Sequence, residues 1–242
     1  MTTTWELPDI RYPLLFEEML QQPHLLIAGA TGSGKSVLVN GLLYTALRHS
    51  PAKVRLVLLD LKRVELGLWR SLPHVLRYAS EPGDLTASLD FALEETDRRY
   101  RALQRQGRRR WEGPELYVVI DELADLMTTQ KRQAQPRIQR LCQLGRAAGV
   151  HVIAATQCPI AAVIPTPIKV NFDARVGLRT ACAQDSRNIL GVTGCERLPR
   201  HGEGYYKSPE GVARWEIPYI PDAQLEALAA WWKGRRPKRK WF

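Results

Sequence analysis

Eight consecutive residues constrain this chain more than any others: Gly29-Ala30-Thr31-Gly32-Ser33-Gly34-Lys35-Ser36. They fit the spacing G-x-x-x-x-G-K-[ST] and sit between a short apolar run, Leu25 to Ala28, and a helix-compatible segment from Lys35 to about His49 with apolar Val37, Leu38, Leu42 and Leu43. The glycines permit backbone torsions that turn successive N–H groups inward. The start of a helix adds its own unpaired amides and positive dipole end, so the turn makes a nest for an anion. The expected ligand is the triphosphate of ATP, bound by Gly29 through Val37. Lys35 is expected to place a point charge between the β- and γ-phosphates, and the Ser36 hydroxyl to ligate Mg²⁺.

The rest of the chain repeats the same alternation. Val54 to Leu59 is an apolar run closed by Asp60, Leu116 to Ile120 one closed by Asp121, and Val150 to Ala155 one closed by Thr156. Asp173 to Leu178 reads as a further strand. Helical patterns cover Leu85 to about Gln106 and Pro136 to Ala148, the second with Pro136 in its first turn. Near-continuous apolar strands alternating with helices predict an α/β fold, a mostly parallel sheet with helices on both faces. Ligands in such sheets bind beyond the carboxyl ends of the strands, where Asp60, Asp121, Thr156 and the glycine turn all fall. Asp121 and Glu122 are therefore expected one strand over from the turn, Asp121 holding Mg²⁺ through water and Glu122 polarising the attacking water. Gln157, at the end of the next strand, is expected to reach the γ-phosphate or that water.

Composition narrows the partner. At 242 residues the chain suits one α/β domain, and 45% hydrophobic with 25% charged residues excludes a chain disordered throughout. Its 35 Lys and Arg against 25 Asp and Glu give a net charge of +10, which suits a polyanion whose counterions are released on binding. Cys142, Cys158, Cys182 and Cys195 lack zinc spacing and read as thiols in a reducing compartment. The start has no basic, apolar leader, and no apolar run approaches the length of a bilayer span; a cytoplasmic protein without direct membrane insertion is expected. Two basic segments look peripheral: Arg105 to Arg110, and the tail Gly234 to Phe242, where Trp241 either stacks on a base or belongs to a solubilising end.

Several segments together resemble the FtsK/SpoIIIE family of DNA-translocase motors. They are Pro23 to Gly29 running into the glycine turn, Leu59-Asp60-Leu61-Lys62 with Glu65-Leu66, Pro73-His74, Asp121 through Met127, Arg146 through His151, Ala155-Thr156-Gln157 with Pro159, and Asp185-Ser186-Arg187 with Ile189-Leu190. The resemblance spans roughly residues 23–220, leaving 1–22 as a lead-in and 221–242 as a C-terminal helix and basic tail. It implies a RecA-like P-loop ATPase that assembles as a ring, usually a hexamer, around duplex DNA, with ATP between subunits. Arg146 falls where the family places an arginine that reaches a neighbour's γ-phosphate. Among pore-side positions Lys169 keeps its charge, whereas Cys158 and Ala183 stand where family members carry basic residues. DNA contact is then expected from Lys169 or, displaced, from Arg108, Arg109, Arg110 or Arg179. The missing membrane-spanning and DNA-reading modules suggest a stripped motor core. Alternative readings are a coupling or packaging ATPase that engages a relaxase or another mobile-element protein, and a protein-secretion ATPase that moves polypeptides.

Overall fold

A computed structural model describes residues 14–235. The predicted alternation is present as one eight-stranded sheet: β1 (His24–Ala28), β2 (Val54–Leu59), β3 (Val75–Ala79), β4 (Glu115–Ile120), β5 (Val150–Thr156), β6 (Ala174–Gly177), β7 (Glu203–Ser208) and β8 (Gly211–Glu216). The spatial order is β3-β2-β4-β5-β1-β6-β7-β8. The first six strands pair in parallel, and β7 and β8 extend the sheet antiparallel beyond β6.

Successive side chains of a strand face opposite ways, and the two layers follow that parity. Leu25 and Ile27 of β1 and Leu56 and Leu58 of β2 face α1 (Leu14–Gln21), α2 (Lys35–Leu47) and α8 (Asp222–Lys233). Leu26, Val57, Leu59, Val118 and Ile120 face α3 (Pro82–Gln106), α4 (Leu123–Thr129) and α5 (Lys131–Ala148), with α6 (Thr166–Lys169) and α7 (Ala183–Leu190) beside them. Each large aliphatic side chain removed from water contributes about 1.5–3 kcal/mol, so both faces hold the central strands firmly.

The helix α2 is buried on most of its circumference, at Leu38, Val39, Leu42, Leu43, Tyr44, Ala46 and Leu47. Its Gly41 lets the Phe16 ring of α1 lie against the backbone, since a methyl there would sit 2.5 Å from the ring. At its far end Trp232 of α8 donates Nε1–H to Leu47 O at 2.7 Å. The helix α8 thus shares a core with α2, although the sequence reading set it apart from the motor segment at residue 221. Of the basic tail only Gly234 and Arg235 lie within the described residues, and Trp241 lies outside them.

Three expectations need correction. Pro136 lies inside α5 rather than in its first turn, because the helix already starts at Lys131. Without an N–H, Pro136 leaves one carbonyl of the preceding turn unpaired, which the exposed side of α5 tolerates. The acid pair is two strands from β1, since β5 runs between β1 and β4. The strands β3, β7 and β8 were not foreseen: they carry few buried apolar residues, and β8 is exposed along its length.

Candidate functional site

The glycine turn is fastened on both sides before it begins. Gly29 N–H donates to Thr156 O of β5 at 3.2 Å, and Ala30 N–H donates to Arg179 O, just past β6, at 2.8 Å. Gly32 at φ 73° and Gly34 at φ 94° occupy left-handed backbone that a side chain would strain. Gly34 caps α2 with no side-chain cap, so the first amides of the helix, including those of Lys35, Ser36 and Val37, remain for a ligand. Thr31 and Val37 are exposed and Ser36 is half-buried at this mouth.

Lys35 is buried, 6% exposed, and its Nζ donates to Asp121 O at 3.1 Å and lies 3.7 Å from Glu122 Oε2. Burial pulls its pKa down, and the Glu122 carboxylate works against that. The sequence-distant turn and acid pair are therefore one site. The intervening strand adds Gln157: its backbone N–H donates to both Glu122 oxygens, at 3.0 and 3.2 Å, and its side-chain Oε1 accepts from Thr31 Oγ1 at 3.0 Å. Gln157 so connects the carboxylate to the phosphate turn.

Three residues to which the sequence gives no role, Asp60, Leu61 and Lys62, complete the acid end. Lys62, in the loop after β2, has its Nζ 3.2 Å from Glu122 Oε2, and its backbone N–H donates to Asp121 Oδ2 at 3.3 Å. Leu61 N–H donates to Asp121 Oδ1 at 3.0 Å. Asp60, fully buried, accepts from Leu66 N–H and the Tyr78 hydroxyl at 3.1 and 2.8 Å on Oδ2, while its Oδ1 is buried with no partner. Burial, with the Asp60 carboxylate beside it, pushes Asp121 up to about 7, against the pull of the two amides.

This surplus of carboxylate tests the expected magnesium. Ser36 and Asp121 line one cleft with Lys35, Asn40 and Glu65. Among the described residues no cluster of three His, Cys, Asp or Glu side chains makes an all-protein metal cage. Magnesium in phosphate-binding sites takes one or two protein oxygens, with phosphate and water supplying the rest, so one hydroxyl, one carboxylate and an under-bonded second carboxylate fit it.

The remaining predicted residues lie elsewhere. Arg146 is exposed in the last turn of α5, four residues before β5 begins, at the opposite end of the sheet from the glycine turn. It lines an open cleft of about 530 Å³ with Arg110, Gln22, Glu115 and His151. Arg108 pairs with Glu112 at 2.5 Å in the same loop. Lys169 is half-buried, its Nζ donating to Asn188 O at 3.3 Å. Arg179 is exposed beside the glycine turn. The four cysteines are free thiols, and no described helix is long and apolar enough to cross a membrane.

Known proteins with these features can be set beside the chain. The FtsK/SpoIIIE family model matches residues 7–115 and 105–162. DNA translocase FtsK of Sporosarcina ureae is 35% identical over 91% of this chain and 31% of its own length, and DNA translocase SpoIIIE of Bacillus subtilis is 38% identical over 87% and 30%. The chain thus spans about a third of these relatives. The conjugation coupling protein TcpA of pCW3, solved as a monomer with ATPγS, superposes with a TM-score of 0.77 at 26% identity over 88% of this chain and 66% of its own. The cytoplasmic domain of the Thermomonospora curvata type VII secretion ATPase EccC gives 0.74 at 27% identity over 91% and 29%.

Proposed function

We propose that this chain, which belongs to the FtsK/SpoIIIE family, is an ATP-hydrolysing motor core that drives movement along double-stranded DNA as a ring of identical subunits. The observation that carries this reading is the meeting of Lys35 Nζ with Asp121 O at 3.1 Å, with Glu122 beside it. It joins a phosphate nest to a buried carboxylate across two strands.

Each residue has work to do. The amides at the start of α2 and the Lys35 ammonium bind and orient the triphosphate. Ser36 and Asp121 would hold Mg²⁺, which when bound neutralises charge on the phosphate oxygens. Glu122, held by Lys62 and the Gln157 amide, accepts the proton of the attacking water. Gln157 carries the state of the phosphate turn to Glu122 through Thr31. Arg146 is too distant to serve its own site, since a seven-residue strand is roughly 20 Å long. It is suited to a neighbour's γ-phosphate, which would tie hydrolysis to assembly.

The charge of +10 and the likeness to DNA translocases support DNA as the track. Lys169, Arg108, Arg109, Arg110 and Arg179 remain the candidate contacts. The likeness to TcpA favours, as a second reading, a coupling ATPase that hands DNA to a partner. ATPase rate against duplex DNA, single-stranded DNA and no DNA, at two salt concentrations, tests the proposal. Duplex DNA should stimulate hydrolysis, less so at high salt as counterion release predicts. A rate indifferent to DNA at low salt would refute the translocase reading.

A further inference from the structure

The glycine turn has a cationic neighbour that neither the spacing of the motif nor its flanking strands announces. The three atoms nearest to a methyl group placed on Gly32 would all belong to the guanidinium of Arg200: Nη2 at 3.3 Å, Nε at 3.5 Å and Cζ at 3.9 Å. Arg200 lies 168 positions further along the chain, in the exposed loop between the helical turn Cys195–Arg197 and β7. The fold brings it there because β6, paired directly with β1, sends its chain past the same end of the sheet.

Charge makes this placement informative. The turn already holds the Lys35 ammonium and the positive end of α2. A third positive group beside Gly32 is repelled unless an anion occupies the nest. The nearby arginines have carboxylates of their own, Arg197 with Glu196 and Arg214 with Glu203. Among the described residues Arg200 has neither a salt bridge nor a side-chain hydrogen bond. Its exposed guanidinium, stacked over a glycine with no side chain to hold it off, presents planar N–H donors suited to phosphate oxygens.

We propose that Arg200 is a phosphate-contacting residue supplied by the same subunit that owns the glycine turn. It binds the β- or γ-phosphate of the nucleotide, and differs from Arg146, which points away from its own site. The inference rests on the reading of the turn as a nucleoside triphosphate site.

Nucleotide titration of the full chain tests it, using fluorescent ATP and ADP analogues labelled on the ribose, with Mg²⁺, at protein concentrations where light scattering reports a monomer. Arg200→Ala and Arg200→Gln should raise the Kd for ATP about 10-fold, the size expected for loss of a charge-assisted phosphate contact, with the Kd for ADP raised equally by a β-phosphate contact and unchanged by a γ-phosphate contact. Arg200→Lys should recover part of the loss, and Arg197→Ala should bind as wild type does. Because Arg200 is exposed, circular dichroism of the variants should match wild type. If wild type binds and both Arg200 variants bind within twofold of it, the inference is wrong while the nucleotide site stands. Equal weakening toward labelled adenosine would place the arginine on the base or ribose and also overturn it. If wild type and Lys35→Ala bind equally poorly, the site reading itself fails and takes the inference with it.

Discussion

Lys62 Nζ lies 3.2 Å from Glu122 Oε2, nearer to that carboxylate than Lys35, at 3.7 Å. The carboxylate is 3% exposed in its side chain, so its direction is set by these two cations and by the amides of Gln157 and Ala124. Lys62 arrives from the loop after β2, where its own amide also holds Asp121. Arg63, next to it, adopts φ 62°, a left-handed conformation uncommon outside glycine, in the turn that positions the lysine.

Lys62 therefore acts as a positioning residue for Glu122. Lys62→Met leaves the glycine turn and Lys35 in place, so the KM for ATP should stay within about twofold while kcat falls about 10-fold. Lys62→Arg should recover part of kcat. Glu122→Gln removes the proposed base and should lower kcat about 100-fold or more with ATP still bound. Steady-state ATPase assays with equilibrium nucleotide binding measure the split. A Lys62→Met enzyme with wild-type kcat, or one whose whole defect is in KM, would exclude the positioning role.

How much of this was legible depended on where the signal lay in the chain. The glycine turn and the Asp121-Glu122 pair were readable because each places polar residues at the end of an apolar strand, and the sheet needs no further information to bring those ends together. The intervening β5 was visible as a strand, but its place between β1 and β4 was not, because order in a sheet is set by packing of crossover helices rather than by any local pattern. The strand β3 escaped notice because Leu76 and Arg77 face solvent. The hairpin β7–β8 escaped because its residues are mostly half-buried or exposed. Lys62 lies in a segment that resembles the family, yet only its 3.2 Å approach to Glu122 gives it a task. Arg200 carried no signal, since nothing in Pro199-Arg200-His201 refers to residue 32.

Arg99 of α3, packed against the end of α5, makes a separate prediction. Arg99 is 1% exposed, and its Nη1 donates to Ala148 O at 2.9 Å and Gly149 O at 2.7 Å, while Nε meets Glu95 at 2.8 Å. Tyr100 adds a hydroxyl bond to Leu144 O at 3.0 Å, and the Trp111 ring lies under the Arg99 guanidinium, 4.8 Å from its centroid. The two Arg99 bonds cap the end of α5, two and three residues beyond Arg146. Arg99→Met would leave the Ala148 carbonyl without its donor and take one donor each from Gly149 O and Glu95, which keep the Leu116 N–H and Arg98, and with the lost packing of a 1% exposed side chain the cost is about 3 kcal/mol. For a domain of this size that lowers Tm by roughly 6–12 °C. Thermal unfolding by calorimetry checks it, and a shift below about 2 °C would show that the cap is dispensable.

Acid should weaken the fold through two histidines far from the nucleotide. His24, 2% exposed, accepts the Val152 N–H on Nδ1 at 3.0 Å, packs edge-on to Phe172 and has no partner for Nε2. Burial first, then the nearby His151, pulls it down to about 4, against the effect of the Cys142 backbone. His74, fully buried against the Trp232 ring, bonds His49 O through Nε2 at 2.8 Å. Burial, with Arg55 adding to it, takes His74 to about 4 as well. In the unfolded chain both return to an ordinary value near 6.5. Between those values the unfolded state binds protons that the folded state refuses. Neither histidine affects stability above about pH 7, and stability falls as the pH drops through 6.5 toward 4. The linkage gives about 2 kcal/mol lost per histidine between pH 7 and 5, before most carboxylates titrate. Asp121, raised to about 7, takes up a proton in the folded state over the same range and opposes this loss by about 2 kcal/mol, so urea unfolding should show the histidine loss in full in an Asp121→Asn background. His74→Gln, whose amide can still donate to His49 O, should remove about half of the slope even if it costs stability at pH 7. A denaturation midpoint unchanged from pH 7 to 5 in the Asp121→Asn background would mean that these imidazoles are not held neutral by burial.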